Sequence, residues 1–222
     1  MRSHGRLYYA LQPRWARFWS RHVARALFVH INKTAGSSVE AALGMPFQHR
    51  TALEFIDLVG RERWDRCFTF SFVRNPWAKV ASHYRYRVRT NQTALKEQPI
   101  PFSEWVARAY GEQDPKYCDQ PKMFMSQSAW ICDRDGEILV DFVGRFEHLR
   151  RDFDHVCRAL GKHRELPHLK GSSRGTSYAE MYDDQARAIV AERFAEDLER
   201  WGYTFDPQPS PGTAPSLSLI HI

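Results

Sequence analysis

The chain has 222 residues, 43% of them hydrophobic, a formal charge of +6 and an isoelectric point near 9.2. That length supports one sizeable core, and the charge suits an anionic partner without distinguishing nucleic acid, nucleotide, acidic glycan or membrane surface. No apolar run of about 18 residues occurs and the N-terminus lacks the apolar core of a signal peptide, so a soluble, cytoplasmic protein without a transmembrane segment is expected.

In chain order, residues 13–26 (PRWARFWSRHVARA) come first. Arg14, Arg17, Arg21 and Arg25 recur at spacings of three and four beside Trp15, Phe18, Trp19 and Val23, which predicts a basic amphipathic helix. Its aromatic face is expected to pack on the domain's own core; peripheral contact with an anionic membrane is the alternative. An apolar run, ALFVHI at 26–31, reads as a buried strand, followed by a small-residue loop and a helix from about Ser37. Thr51 with Glu54 forms a capping box for a short helix, and CFTFSFV at 67–73 reads as a second strand. Pro76 suits the first turn of a helix reaching Arg89. Further helices are expected at 102–110 with Ser103 as cap, at 147–160 and at 178–200, and a third strand at 137–143 (EILVDFV).

Strands alternating with helices imply an α/β fold, a central mainly parallel sheet covered on both faces in three layers, P-loop-like in its first unit. The expected organisation is a basic helix over 1–25, one domain over 26–206 and a disordered Pro/Ser-rich tail over 207–222. Cys67, Cys118, Cys132 and Cys157 show no CxxC pair, so neither a zinc site nor a redox motif is indicated; Cys118 and Cys132 would pair only in an oxidising compartment.

Two stretches carry chemistry. In HINKTAGSSVE (30–40) a lysine precedes the glycine, the reverse of the GxxxxGK[ST] order of a Walker A loop. In FVRNPWAKVASHY (72–84) Arg74 ends a strand, where ligands sit in open α/β sheets, and Ser82 lies about 9 Å further along the next helix. An arginine fork and a hydroxyl so placed can hold one anionic group.

Together these stretches resemble the 5'-phosphosulfate loop and the 3'-phosphate motif of carbohydrate sulfotransferases of the heparan sulfate 2-O-sulfotransferase and HNK-1 type. The resemblance runs from about residue 26 to 206, through HRTA (49–52), VDFVGRFEHL (140–149), LPHLKGSS (166–173) and DLERWGYTF (197–205). It implies 3'-phosphoadenosine 5'-phosphosulfate as donor, without metal, held by Lys33, Thr34, Ala35, Gly36, Ser37, Ser38, Arg74 and Ser82, with Lys170, Ser172 and Ser173 from a later loop. Lys33 would stabilise the leaving oxygen, and His49, with an ordinary pKa near 6.5, would take the acceptor proton. The acceptor implied is a hydroxyl, of a glycan by family leaning, with Arg85, Arg89 and Arg145 as candidate contacts. Related loops carry proline where this chain has Asn32.

Two other readings stay open on the residues alone. Asp141 at the end of EILVD mimics a magnesium-binding Walker B strand, which with NKT would suit a kinase. A non-catalytic protein binding anions or membranes through its basic helix is the other. No nucleic-acid module is visible.

Overall fold

A computed structural model describes residues 14–167 and 177–206. Its centre is a sheet of three parallel strands in the order β1 (Ala26–Val29), β2 (Phe68–Val73), β3 (Phe142–Arg145). Parallel pairing forces a crossover between successive strands, and here each crossover carries helices. The first holds α2 (Gly36–Leu43), α3 (Ala52–Val59) and α4 (Arg61–Arg66). The second holds α5 (Pro76–Arg89), α6 (Phe102–Val106) and α7 (Ser128–Ile131). Then come α8 (Leu149–Ala159), α9 (Asp184–Arg193) and α10 (Ala195–Trp201), while a helix over 14–22, α1, precedes β1.

Alternation along the strands explains why both faces are covered. Leu27 and Val29 face a core with Phe55, Trp64, Ile131 and Trp201, whereas Ala26, Phe28, Phe70 and Phe72 face Val39, Leu43, Phe153 and Val156. This is the three-layer α/β arrangement expected. A third cluster, around Trp77, Val80, Trp105, Tyr110 and Phe194, joins α5, α6 and α9 beside the sheet. The capping box at Thr51 is present, and Asn75 caps α5 by accepting from the Trp77 and Ala78 amides.

Several expectations are corrected. The third strand starts at Phe142, because Asp141 turns its carboxylate onto the Thr69 amide and hydroxyl at 2.8 and 2.9 Å. Residues before it fold back instead, with Ile138 bridging Cys132 in antiparallel sense around a turn held by Asp133. Ser103 is not a cap: Pro101 stands at that position and α6 passes into a π turn over Ala107–Gly111. The span 178–200 is broken into a 3₁₀ turn at Tyr178–Met181, then α9 and α10. The aromatic side of α1 does not pack on the core as a whole: Ala16, Ser20 and Ala24 are buried, while Trp15 and Phe18 stay half exposed. All four cysteines are buried and free. The tail 207–222 and residues 1–13 lie outside the described residues.

Candidate active site

The loop between β1 and α2 is built by two left-handed residues, Lys33 (φ 67°) and Ala35 (φ 68°), an arrangement disfavoured for side chains other than glycine. Thr34, fully buried, donates its hydroxyl to the Ile31 carbonyl at 2.8 Å and so tightens the turn rather than facing outward. Asn32 supplies the restraint that a proline would give by another means, donating from Nδ2 to the Met123 carbonyl at 3.1 Å. The N-terminus of α2 has Ala35 at the cap, no capping side chain and no acid in its first turn. Its first amides and the positive end of its dipole are therefore available to an anion. Ser37 is exposed beside this end and Ser38 is buried.

Cations converge on this loop. Arg74, at the carboxyl end of β2, donates from Nη1 to the Lys33 carbonyl at 3.1 Å and lays its guanidinium over Phe146 at 4.0 Å. Its Nε is buried without a partner, and burial draws its pKa down to about 10. The Arg74 peptide is clamped on both sides by Gln127, whose Oε1 accepts from the Arg74 amide and whose Nε2 donates to the Arg74 carbonyl, each at 2.8 Å. Asp197, buried, in turn accepts from the Gln127 and Ser128 amides at 2.7 and 2.8 Å. Lys33 places Nζ over the Tyr86 ring at 4.1 Å. Burial, then Arg89 and Arg74, lower its pKa to about 8.

Helix α5 sets the rest of this group. Ser82, Arg85, Tyr86 and Arg89 follow the i, i+3, i+4, i+7 pattern of one face, and Tyr86 brings that face to Lys33. Arg89 lies on the same Tyr86 ring at 5.5 Å, and the Arg85 charge acts on Arg74. Arg89 is thus gathered with Lys33 at Tyr86, and Arg85 is near enough for its charge to act on Arg74. Arg145 is elsewhere engaged: its Nη2 donates to the Trp201 carbonyl and its guanidinium covers Tyr203, which fastens α10 to β3. Lys79, fully buried on α5 with Nζ facing Phe194 at 5.2 Å, carries a pKa lowered to about 8 by burial.

His49 reaches the same loop from the other side. Its Nδ1 lies 2.8 Å from the His30 carbonyl, so that nitrogen carries the proton and donates, leaving the Nε2 lone pair as the basic position. The ring sits 4.2 Å from that of His30, which packs over Gly36 so closely that a Cβ there would meet His30 Cδ2 at 2.0 Å. Gly36 is needed for space. Glu40, buried on α2, lies 3.0 Å from His30 Nδ1 without a hydrogen bond between them, and it accepts from the Gln48 amide at 3.2 Å, which holds the residue before His49. Burial raises the Glu40 carboxyl to about 8. The expected titration of His49 near 6.5 is corrected: burial, then the charge of His30, lower it to about 4, so the ring is neutral across the physiological range. Lys122 donates to the His49 carbonyl at 2.9 Å and pairs with Glu54.

A cleft of about 1010 Å³ opens beside this loop, lined by Ala35 and Ser38 on one wall and by Phe146, Leu149, Phe153 and Leu166 on the other. Its volume suits a nucleotide. The partnerless Arg74 Nε and the uncapped end of α2 fit an anionic group. Asp141 is spent on β2 and does not face the lysine loop as a metal ligand would. Among the described residues no three acidic, histidine or cysteine side chains gather around a metal position. Lys170, Ser172 and Ser173 lie outside the described residues.

Glu40, Tyr86, Gln127 and Asp197 were not singled out from sequence. Asn75, before Pro76, was not singled out either; it caps α5 and also donates to the Thr204 carbonyl at 2.8 Å.

Comparison with known proteins gives one family model, the "Sulfotransferase family", over residues 17–204. The chain is also 31% identical over 109 residues to an uncharacterized protein of Archaeoglobus fulgidus, a match covering 49% of this chain and 79% of the relative. No solved structure matches. The family match spans the lysine loop, His49, Arg74 and Ser82 in one continuous stretch, and the three-stranded parallel sheet with its flanking helices is the scaffold that positions them. The chain belongs to the sulfotransferase family.

Proposed function

We propose that the chain transfers the sulfuryl group of 3'-phosphoadenosine 5'-phosphosulfate to a hydroxyl of a carbohydrate acceptor, in line and without metal. The observation that carries this reading is the bond from Arg74 to the Lys33 carbonyl of the β1–α2 loop, which joins two cations there, with His49, a neutral base, bonded to the His30 carbonyl just before that loop. As the bond between sulfur and the 5'-phosphate oxygen breaks, its electron pair stays on that oxygen, where the Lys33 ammonium and the α2 amides stabilise the growing charge. The acceptor oxygen forms the new bond to sulfur, and its proton passes to His49 Nε2. Nδ1–H, donating to the His30 carbonyl, keeps the ring in the tautomer that accepts there. Arg74 and Ser82 hold the 3'-phosphate, and the cleft beside α2 takes the nucleoside.

The carbohydrate acceptor rests on the resemblance of the two motifs. The kinase reading is disfavoured by Asp141, whose carboxylate is bonded to Thr69. Adenosine 3',5'-bisphosphate at a hundred times its dissociation constant stabilises a fold by about 2.7 kcal/mol, a melting shift of roughly 5 to 10 °C for a chain of this size. The shift is expected in the presence of chelator, and adenosine 5'-phosphate should give little of it. A response to ATP with magnesium alone would refute the donor assignment.

A further inference from the structure

Helix α1 is held on the domain by its small residues. Ala16, Ser20 and Ala24, one turn apart, are buried. Gln48 Nε2 donates to Ser20 Oγ at 3.0 Å, Arg63 donates to the Ser20 and Ala24 carbonyls at 2.9 and 3.0 Å, and Arg21 Nε donates to the Leu58 carbonyl at 2.9 Å. These bonds fix which side of the helix faces outward. At about 100° per residue, Phe18 and His22 lie opposite the buried side, with Trp15 on one shoulder and Arg14 and Arg21 on the other.

That outward side is both apolar and cationic. Trp15 is 53% exposed and Phe18 52%, the two largest exposures among the big hydrophobic residues described. Trp15 stacks on Phe18 at 6.0 Å, and Phe18 meets His22 at 4.9 Å, so the aromatics form one stripe and not scattered rings. Arg14, Arg17, Arg21 and Arg25 are exposed around it, and none forms an ion pair among the described residues. The first acidic residue of the whole sequence is Glu40.

We propose that α1 docks the protein on an anionic lipid surface, its arginines at the headgroups and Trp15 and Phe18 in the interface below them. Charge complementarity selects this occupant. A second copy of the chain would set arginine against arginine. A protein partner would have to offer acids and an apolar pocket together, on a convex helix with no groove. A lipid surface offers a dense negative layer directly above an apolar one, which is the order in which this helix presents arginine and aromatic groups. The bonds through Ser20 to Gln48, next to His49, make the helix a rigid mount for the acceptor side of the domain and not a loose tether.

The test is cosedimentation with phosphatidylcholine vesicles, with and without phosphatidylserine, at low and raised salt. Binding is expected only with phosphatidylserine, weakening as salt rises. Two paired substitutions separate the contributions, Trp15→Ser with Phe18→Ser and Arg14→Glu with Arg17→Glu. Each should lower the vesicle partition coefficient by about tenfold or more. Because these side chains are exposed, the melting temperature should be unchanged, which separates lost docking from lost fold. Absence of binding to phosphatidylserine vesicles would overturn the proposal, as would undiminished binding by the Trp15→Ser, Phe18→Ser protein. So would tight binding to duplex DNA that the same aromatic pair weakens.

Discussion

Substituting Gly36→Ala tests whether the lysine loop and the base are one mechanical unit. A Cβ at position 36 would stand 2.0 Å from His30 Cδ2, 2.1 Å from Nε2 and 2.6 Å from Cγ, so the ring must retreat by more than an ångström to reach ordinary contact. It has little room: Phe28 stacks on it at 5.5 Å, Phe47 closes its edge at 5.3 Å, His49 lies at 4.2 Å, and Glu40 crowds Nδ1 at 3.0 Å. Overpacking of this kind costs about 1 to 3 kcal/mol, which at roughly 2 to 4 °C per kcal/mol lowers the melting temperature by about 2 to 12 °C. Activity should fall further than stability alone explains, because the displaced ring carries the backbone carbonyl that orients His49. Thermal unfolding of a double-mutant cycle with His30→Ala is the decisive assay. Once the ring is gone the new methyl has space, and alanine is preferred over glycine within a helix by about 1 kcal/mol, so Gly36→Ala should cost little in that background. An equal penalty with and without the His30 ring would refute the clash and with it the coupling of loop to base.

Lys33→Ala should lower turnover by roughly 10² or more while weakening adenosine 3',5'-bisphosphate binding less, since the interaction grows as the bond to sulfur breaks; single-turnover kinetics check it, and a loss confined to binding would contradict the role. The Lys33 cation, with its pKa near 8, is present below that pH and lost above it, so titration calorimetry should show product affinity falling as pH rises through about 8, and Lys33→Arg should remove that fall. His30 and His49 have folded pKa values of about 3 and 4, below the ordinary 6.5, so the unfolded chain binds protons first as pH drops. Their stabilisation is therefore complete above 6.5 and is lost between 6.5 and about 3, and His49→Gln should flatten that limb of urea-measured stability. Gln127→Glu sets a second carboxylate against Asp197 and removes the donor to the Arg74 carbonyl; a melting temperature within error of the unsubstituted protein would refute the clamp.

What could be read in the sequence was local. A strand, a small-residue turn and a helix follow one another between Ala26 and Leu43, and a strand running up to Arg74 is succeeded by Pro76 and a helix, so the order of types already states the two strand–loop–helix units. The helix at 13–26 was legible as a helix, yet its orientation was not, because aromatics and arginines share one side and only the close approach allowed by Ala16, Ser20 and Ala24 decides which side turns inward. EILV misled for a related reason: an apolar run predicts burial, and these residues pack by folding back on Cys132 while a single carboxylate, Asp141, decides where pairing with β2 begins.

The groups that set the site's electrostatics were hidden by distance along the chain. Gln127 meets Arg74 across 53 residues and Asp197 across 70, and nothing in a glutamine or a helical aspartate announces such a bond. Glu40 reads as an ordinary polar position of α2, but its carboxyl is buried against His30 and raised to about 8, while His49, expected as a base near 6.5, is lowered to about 4 by the same enclosure. Arg85 and Arg89 make the point geometrically. Counted along α5 they lie beyond Ser82, and only the fold shows that Arg89 shares the Tyr86 ring with Lys33 and that the Arg85 charge acts on Arg74. If they serve the donor's phosphates, selection of the acceptor must come from other surfaces around His49, of which the half-exposed Phe47, edge-on to His49 at 4.9 Å, is the nearest apolar one.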